Sequence, residues 1–300
     1  MPDYTASVLH SGGLPDVRGV RHRFISVNGT SLHIAEAGEA GNAPVLLLHG
    51  FPQHWYVWSD LMPLLARTRH VIAPDLRGFG WSDAPKRGYS TSQRVADVLA
   101  LLDDLEVARV DVVGHDWGGW LGFRLALDHP DRVDRLVSIS MVHPWVMQRH
   151  LIPNLWRWWI TAPFEIPGLG GWVLRRRPRF TEWLMARDAA NPGAWTRERR
   201  AVYSTVASEP AHAEAGRRLH SQLVLRDIPR LLLGRDRRLG LGAQTLIIGG
   251  ENDALLPPRV LTPPARFAAR ITVQTIPGGH FLVDENPEQV FELVTGHLRS

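Results

Sequence analysis

The chain contains no cysteine. That excludes disulfide bridges, thiolate metal sites and a cysteine nucleophile, and leaves oxygen and imidazole to carry any chemistry. Lysine is almost as scarce: Lys86 is the only one, and arginine supplies the rest of the 34 basic residues. Such a bias fits the coding of a GC-rich bacterial genome and points to no function. No run approaches the ~20 consecutive apolar residues of a membrane span, and residues 1–20 lack the basic head and apolar core of a secretory signal. A cytoplasmic protein without stable membrane insertion is therefore expected, with residues 1–20 as an N-terminal extension. What is present suffices for a large core. A chain of 300 residues, 44% hydrophobic and 21% charged, buries roughly 75% of its unfolded surface, which rules out a disordered or fibrous chain.

Charge is unevenly spread. Residues 144–242 hold 17 Arg against 8 Asp and Glu, a local balance of +9, while the rest of the chain stands at −5. The same segment holds seven of the twelve tryptophans, Trp145, Trp156, Trp158, Trp159, Trp172, Trp183 and Trp195. Outside it, β-rich runs alternate with helical patterns. Residues 22–27 and 32–35 read as a hairpin across Asn28-Gly29. Continuous apolar runs at 45–48, 70–73, 110–113, 135–139, 245–248 and 272–276 read as strands covered on both faces. Helical periodicity is clearest at 92–105, 117–127 and 288–298. Strand-helix alternation predicts an α/β fold with a mostly parallel, eight-stranded, doubly wound sheet. The core is expected at 1–143 and 243–300, interrupted by a helical insert at 144–242.

The chemistry concentrates in Gly114-His115-Asp116-Trp117-Gly118-Gly119, where a predicted strand runs into a predicted helix through small residues. This is the pattern of a nucleophile elbow, a sharp turn that holds its central side chain at the top of the sheet. Here the central residue is Asp116, and a carboxylate at a helix N-terminus can attack carbon without a base to activate it, giving an alkyl ester. The competing reading is that Asp116 simply caps the helix. Folds with such an elbow take one oxyanion-hole N–H from the residue after the nucleophile and another from a loop after an earlier strand. Trp117 and Phe51, the latter in His49-Gly50-Phe51-Pro52, hold those positions. Asp253, in Gly250-Glu251-Asn252-Asp253, and His280, in Pro277-Gly278-Gly279-His280, follow the last two strands. The chain order nucleophile, acid, histidine lets Asp253 orient His280 while His280 deprotonates a water.

With these four motifs the sequence resembles the α/β-hydrolase-fold epoxide hydrolases, well over 20–143 and 243–300 and loosely over the insert. The resemblance implies that Asp116 opens an epoxide to a hydroxyalkyl ester, which water activated by His280 and Asp253 hydrolyses to a vicinal diol. It implies no cofactor and no metal, a cis bond at Phe51-Pro52, and an insert acting as a cap over a pocket that includes His49, Pro52, Trp159 and Ile160. Partners are then an apolar epoxide and water, with no nucleic acid; a homodimer stays open. One departure stands out. The family's cap tyrosines, which donate a proton to the epoxide oxygen, are missing: Ile160 follows Trp159 where the first is expected. His220 takes the region of the second, and Tyr203 lies too early.

The Asp nucleophile is shared with haloalkane dehalogenases, but their second halide donor, an Asn after the His-Gly pair, is Phe51 here, and no carboxylate follows the sixth strand in Ser138-Ile139-Ser140-Met141-Val142. A fluoroacetate dehalogenase would carry arginine where Trp117 stands. Serine esterases are excluded by Asp116 itself. A non-enzymatic binding protein on the same scaffold is the remaining alternative, favoured only by the absent tyrosines. The cluster Arg175-Arg176-Arg177-Pro178-Arg179 is expected to be solvated surface, and the insert's tryptophans to line an apolar pocket.

Overall fold

A computed structural model describes residues 13–299 except 167, 192, 194 and 268, and except the side chains of 160 and 165. Residues 1–12 of the expected extension and the Ile160 side chain thus lie outside the described residues.

All eight expected strands are present in one sheet. They are β1 (Val20–Val27), β2 (Thr30–Ala37), β3 (Pro44–Leu48), β4 (His70–Pro74), β5 (Val110–His115), β6 (Val133–Ile139), β7 (Gln244–Gly250) and β8 (Ile271–Ile276), in the order β1-β2-β4-β3-β5-β6-β7-β8. Asn28 and Gly29 both have positive φ, 49° and 71°, as a two-residue turn with this twist requires, and they set the register Val27↔Thr30. β1, β2 and β4 pair antiparallel, and every pairing from β4 to β8 is parallel. The parallel strands β3 to β6 are apolar almost throughout because helices cover both faces, and the core divides into one cluster on each side of the sheet. Helix α1 (Thr91–Asp104) is capped by Ser90, whose hydroxyl accepts from Gln93 N–H. Helix α2 (Trp117–Asp128) packs on β5 and β6.

Among its described residues the chain between β6 and β7 forms helices and turns only. They include a 3-10 helix at Ile152–Thr161, α3 (Leu169–Arg176), α4 (Pro178–Asp188), α5 (Arg197–Ala207), α6 (Pro210–Gln222) and a π-helical turn at Leu223–Asp227. Buried polar bonds tie this insert to the sheet and its helices. Arg124 donates to Asp236 at 3.0 Å, Thr91 to Asp227 at 3.0 Å, and the His280 N–H to the Asp188 carbonyl at 2.9 Å. The expectation that the tryptophans line a pocket holds for Trp158 and Trp159 alone. Trp145 and Trp195 are buried elsewhere, and Trp156, Trp172 and Trp183 are exposed, because the insert's helices bury one face and present another to water. The chain closes with a short helix, Leu282–Glu285, and α7 (Pro287–Arg299).

Candidate active site

Asp116 sits between β5 and α2 at φ 50° and ψ −121°, a conformation that non-glycine residues adopt only when their surroundings impose it. Here the imposition is steric. A Cβ on Gly118 would lie 2.0 Å from the Leu48 carbonyl oxygen, so α2 starts in direct contact with the end of β3 and the turn before it has no room to relax. The same closeness brings the loop after β3 against the carboxylate, where a Cβ on Gly50 would stand 2.6 Å from Asp116 Oδ2. The Asp116 side chain makes no capping bond to its own helix. The capping role considered from sequence is thus not the one it plays.

Its two oxygens face different partners. Oδ2 accepts the Phe51 N–H at 3.0 Å, across the cis Phe51-Pro52 bond's loop, while Oδ1 lies 3.6 Å from His280 Nε2. His280 donates Nδ1–H to Asp253 Oδ2 at 2.9 Å, and the other Asp253 oxygen accepts the Leu255 and Leu256 N–H groups at 2.8 Å each. Phe51, Asp116, Asp253 and His280 follow β3, β5, β7 and β8, at the carboxyl ends of parallel strands. Burial would raise the Asp116 carboxyl, but the hydrogen bond and charge of His280 outweigh it and hold it below the usual carboxylate range. For His280 burial lowers and the Asp253 and Asp116 charges raise, leaving the imidazole well above its ordinary value. The resting pair is therefore ionic.

Asp116 and His280 open into a cavity of about 370 Å³ whose wall is otherwise apolar except for Thr161 and His220. Trp117, Met141, Leu155, Trp158 and Leu256 are among its lining residues. His220 comes from α6 and is buried, its ring edge-on to Phe51 at 4.5 Å and to Trp117 at 4.7 Å. Trp159 lines the cavity. Two expected pocket residues do not. His49 turns to the loop after β4, its Nδ1 bonded to Gly50 O at 3.0 Å and its Nε2 accepting the Leu76 N–H at 2.9 Å, and braces that loop. Pro52 faces a separate, small cleft beside Phe79 and Leu174, because the Phe51 ring stands between it and the cavity. Tyr203 also lies elsewhere, its hydroxyl donating to Asp284 at 3.2 Å.

Three further residues hold this arrangement and were not identified from sequence. His115 donates Nε2–H to the His280 carbonyl at 2.9 Å, and burial lowers its imidazole to about 4, so it is neutral. Glu285 accepts four backbone N–H groups: Gly279 at 3.0 Å, Ala190 at 2.7 Å and Asn191 at 3.1 Å on Oε2, and Phe281 at 3.2 Å on Oε1. Asp188, at the end of α4, accepts the His280 N–H through its carbonyl, and burial raises its carboxyl despite the nearby His280 charge. Glu285 and Asp188 together fasten the insert to both sides of His280.

The sequence pattern of the alpha/beta hydrolase fold family matches residues 43–287. The soluble epoxide hydrolase of Corynebacterium sp. (strain C12) is 42% identical over 123 residues, which cover 41% of this chain and 42% of that protein. The chain spans about half the length of the curated relatives it matches. Among solved structures, Cfl2 from Burkholderia cenocepacia superposes with a TM-score of 0.82 at 29% identity, over 93% of this chain and 95% of that one. The epoxide hydrolase CorEH superposes with a TM-score of 0.80 at 26% identity, over 93% and 99%.

Proposed function

This chain belongs to the α/β-hydrolase fold family, and from that premise we propose that it hydrolyses an apolar epoxide to a vicinal diol through an ester on Asp116. The observation that carries the reading is the division of labour between the two Asp116 oxygens. Oδ1, left free of the Phe51 N–H and turned to His280, is the nucleophile; Oδ2, held by the Phe51 N–H, is the ester carbonyl in waiting. The likeness to epoxide hydrolases supports the substrate class.

Asp116 Oδ1 attacks an epoxide carbon, the ring C–O bond breaks, and the released oxygen takes a proton from His220, the titratable cavity residue outside the Asp116–His280 pair. Ester formation removes the Asp116 charge that raises His280, so the imidazole releases its proton to the solvent and becomes a base, regaining one from the solvent when the Asp116 carboxylate is restored at the end of the cycle. It then takes a proton from water, which adds to the ester carbonyl carbon. The oxyanion forms on Oδ2, with the N–H groups of Phe51 and Trp117 as donors. The diol leaves with the proton held by His280, and the proton left on the Asp116 carboxyl returns to His220. Asp253 keeps Nδ1 protonated so that Nε2 is the base. The insert at 144–242 acts as the cap that supplies His220 and the apolar wall, suiting a bulky lipophilic epoxide.

The test is a single turnover with enzyme in excess over an aryl epoxide in ¹⁸O-water. The ester route delivers an Asp116 oxygen to the product, so the first diol carries no label and the carboxylate acquires it. Labelled first-turnover diol means that water attacks the epoxide directly and the ester reading fails.

A further inference from the structure

The cavity opens through its most exposed apolar residues. Trp159 and Val224 both line it, yet they are 62% and 37% exposed, which places them at the mouth. A 3-10 helix repeats every three residues, so Trp156, 64% exposed, shares the Trp159 face of the helix at Ile152–Thr161. Leu225, next along the π-helical turn, is 70% exposed. Among the described residues, eleven of the twelve large apolar side chains left exposed lie between 152 and 239. All eleven lie in the insert, and the four at or beside the mouth, Trp156, Trp159, Val224 and Leu225, are neighbours along their own helices, as a contact surface requires.

The charge left over around this rim is positive. Residues 144–161 hold Arg149 and Arg157 and no acid; of the five arginines at 217–235, Arg217 and Arg218 pair with Glu214 and Arg230 with Asp236, which leaves Arg226 and Arg235, while the one acid, Asp227, is buried against Thr91. The Arg157 guanidinium lies over the Trp156 ring, 5.3 Å from its centroid. A second copy of the chain would bring arginine against arginine across such a face. An anionic bilayer offers what the rim lacks, with phosphates for the arginines and an interfacial layer for tryptophan.

We propose that the cavity mouth docks on an anionic membrane surface. Trp156, Trp159, Val224 and Leu225 enter the headgroup layer and Arg226 lies against lipid phosphate, so that a lipophilic substrate passes from the bilayer towards Asp116. The docking stands on the rim alone; the passage of substrate rests on the epoxide reading above.

The experiment is co-sedimentation of the full chain with vesicles of phosphatidylcholine, with and without phosphatidylglycerol, at low and high salt. Binding is expected only with phosphatidylglycerol and is lost at high salt. Arg226→Gln weakens it about five-fold, and Trp156→Ala with Leu225→Ser about ten-fold or more. Neither Trp156 nor Leu225 lines the cavity, so the double variant keeps its turnover of a water-soluble epoxide and loses turnover of one dissolved in the vesicles. Absence of binding at low salt, equal binding to neutral vesicles, or binding indifferent to these substitutions overturns the proposal. So does self-association of the wild-type chain that the same substitutions abolish. Vesicle binding by a chain that opens no epoxide would leave the docking intact and remove the substrate reading.

Discussion

Replacing Glu285 with glutamine removes a charge that four backbone N–H groups converge on, two of them flanking His280 and two in the insert. A glutamine oxygen placed at Oε2 keeps the three bonds from Gly279, Ala190 and Asn191, but as neutral bonds, each weaker by about 1 kcal/mol. The amide nitrogen then faces the Phe281 N–H, and an unsatisfied buried donor costs about 1–3 kcal/mol. The sum is roughly 5 kcal/mol, which at about 2–4 °C per kcal/mol for a chain of this size lowers the melting temperature by about 10–20 °C. The kinetic consequence is selective. Attack by Asp116 does not use His280, whereas ester hydrolysis does, and a base displaced by about 1 Å slows its step about 100-fold. Well below the variant's melting temperature, stopped reactions analysed by intact mass should show covalent ester accumulating in Glu285→Gln and not in the wild type. A variant that melts within about 2 °C of wild type, or that loses ester formation and hydrolysis equally, refutes the view that this carboxylate positions His280.

Other expectations concern the proton donor, the elbow and pH. His220→Ala should slow ester formation by about 10²–10⁴ in rapid-quench measurements, while Tyr203→Phe, which touches Asp284 outside the cavity, leaves it within about two-fold; the reverse pattern means that the donor is misassigned. Gly118→Ala, whose methyl group would meet the Leu48 carbonyl at 2.0 Å, should cost the elbow its geometry and abolish ester formation, and full activity would show that α2 can shift. Burial lowers His54, His115 and His143 to about 4 each. Between pH 6.5 and 4 the unfolded chain therefore binds more protons than the folded one. Denaturant titrations should show stability falling as pH is lowered through that window, by up to about 4 kcal/mol per pH unit for three such groups, offset by about 1.4 kcal/mol per pH unit from Asp284, which burial raises to about 6. The Asp116–His280 pair acts outside it. Asp116, held low, contributes stability that is lost as pH falls through its folded pKa, below 3.8, and His280, held high, contributes stability lost as pH rises through its own, above 6.5. A flat profile between pH 6.5 and 4 contradicts the burial of these histidines in neutral form.

The sheet was legible because parallel strands buried on both faces leave uninterrupted apolar runs, as in 45–48 and 110–113, and the Asn28-Gly29 turn fixes its own hairpin. The elbow was legible because its small residues recur around the carboxylate: Gly114 closes on Gly118 within a few residues of sequence, although Gly118 itself meets the Leu48 carbonyl of a distant strand. His49 and Pro52 were misplaced because a loop motif records which backbone passes the carboxylate, not where its side chains turn; the Phe51 ring decides that. Glu285 looks in sequence like any acid at a helix start, and its role appears only when a strap of the insert closes on the His280 loop. The tryptophans carried a sharper ambiguity. An aromatic residue on an amphipathic helix is apolar in a cavity wall and at a membrane face alike, and only the packing of the insert separates Trp158 from Trp156.

The central claim is a covalent bond between Asp116 and the substrate, and intact mass spectrometry of His280→Gln, incubated separately with an aryl epoxide and a 1-haloalkane, tests it most directly. With the base removed, the account predicts an adduct of the full epoxide mass, mapped by peptide analysis to Asp116 and stable to further incubation. An adduct from the haloalkane alone, lacking its halogen, would make the chain a dehalogenase, and the absence of any adduct on Asp116 would contradict the ester mechanism itself.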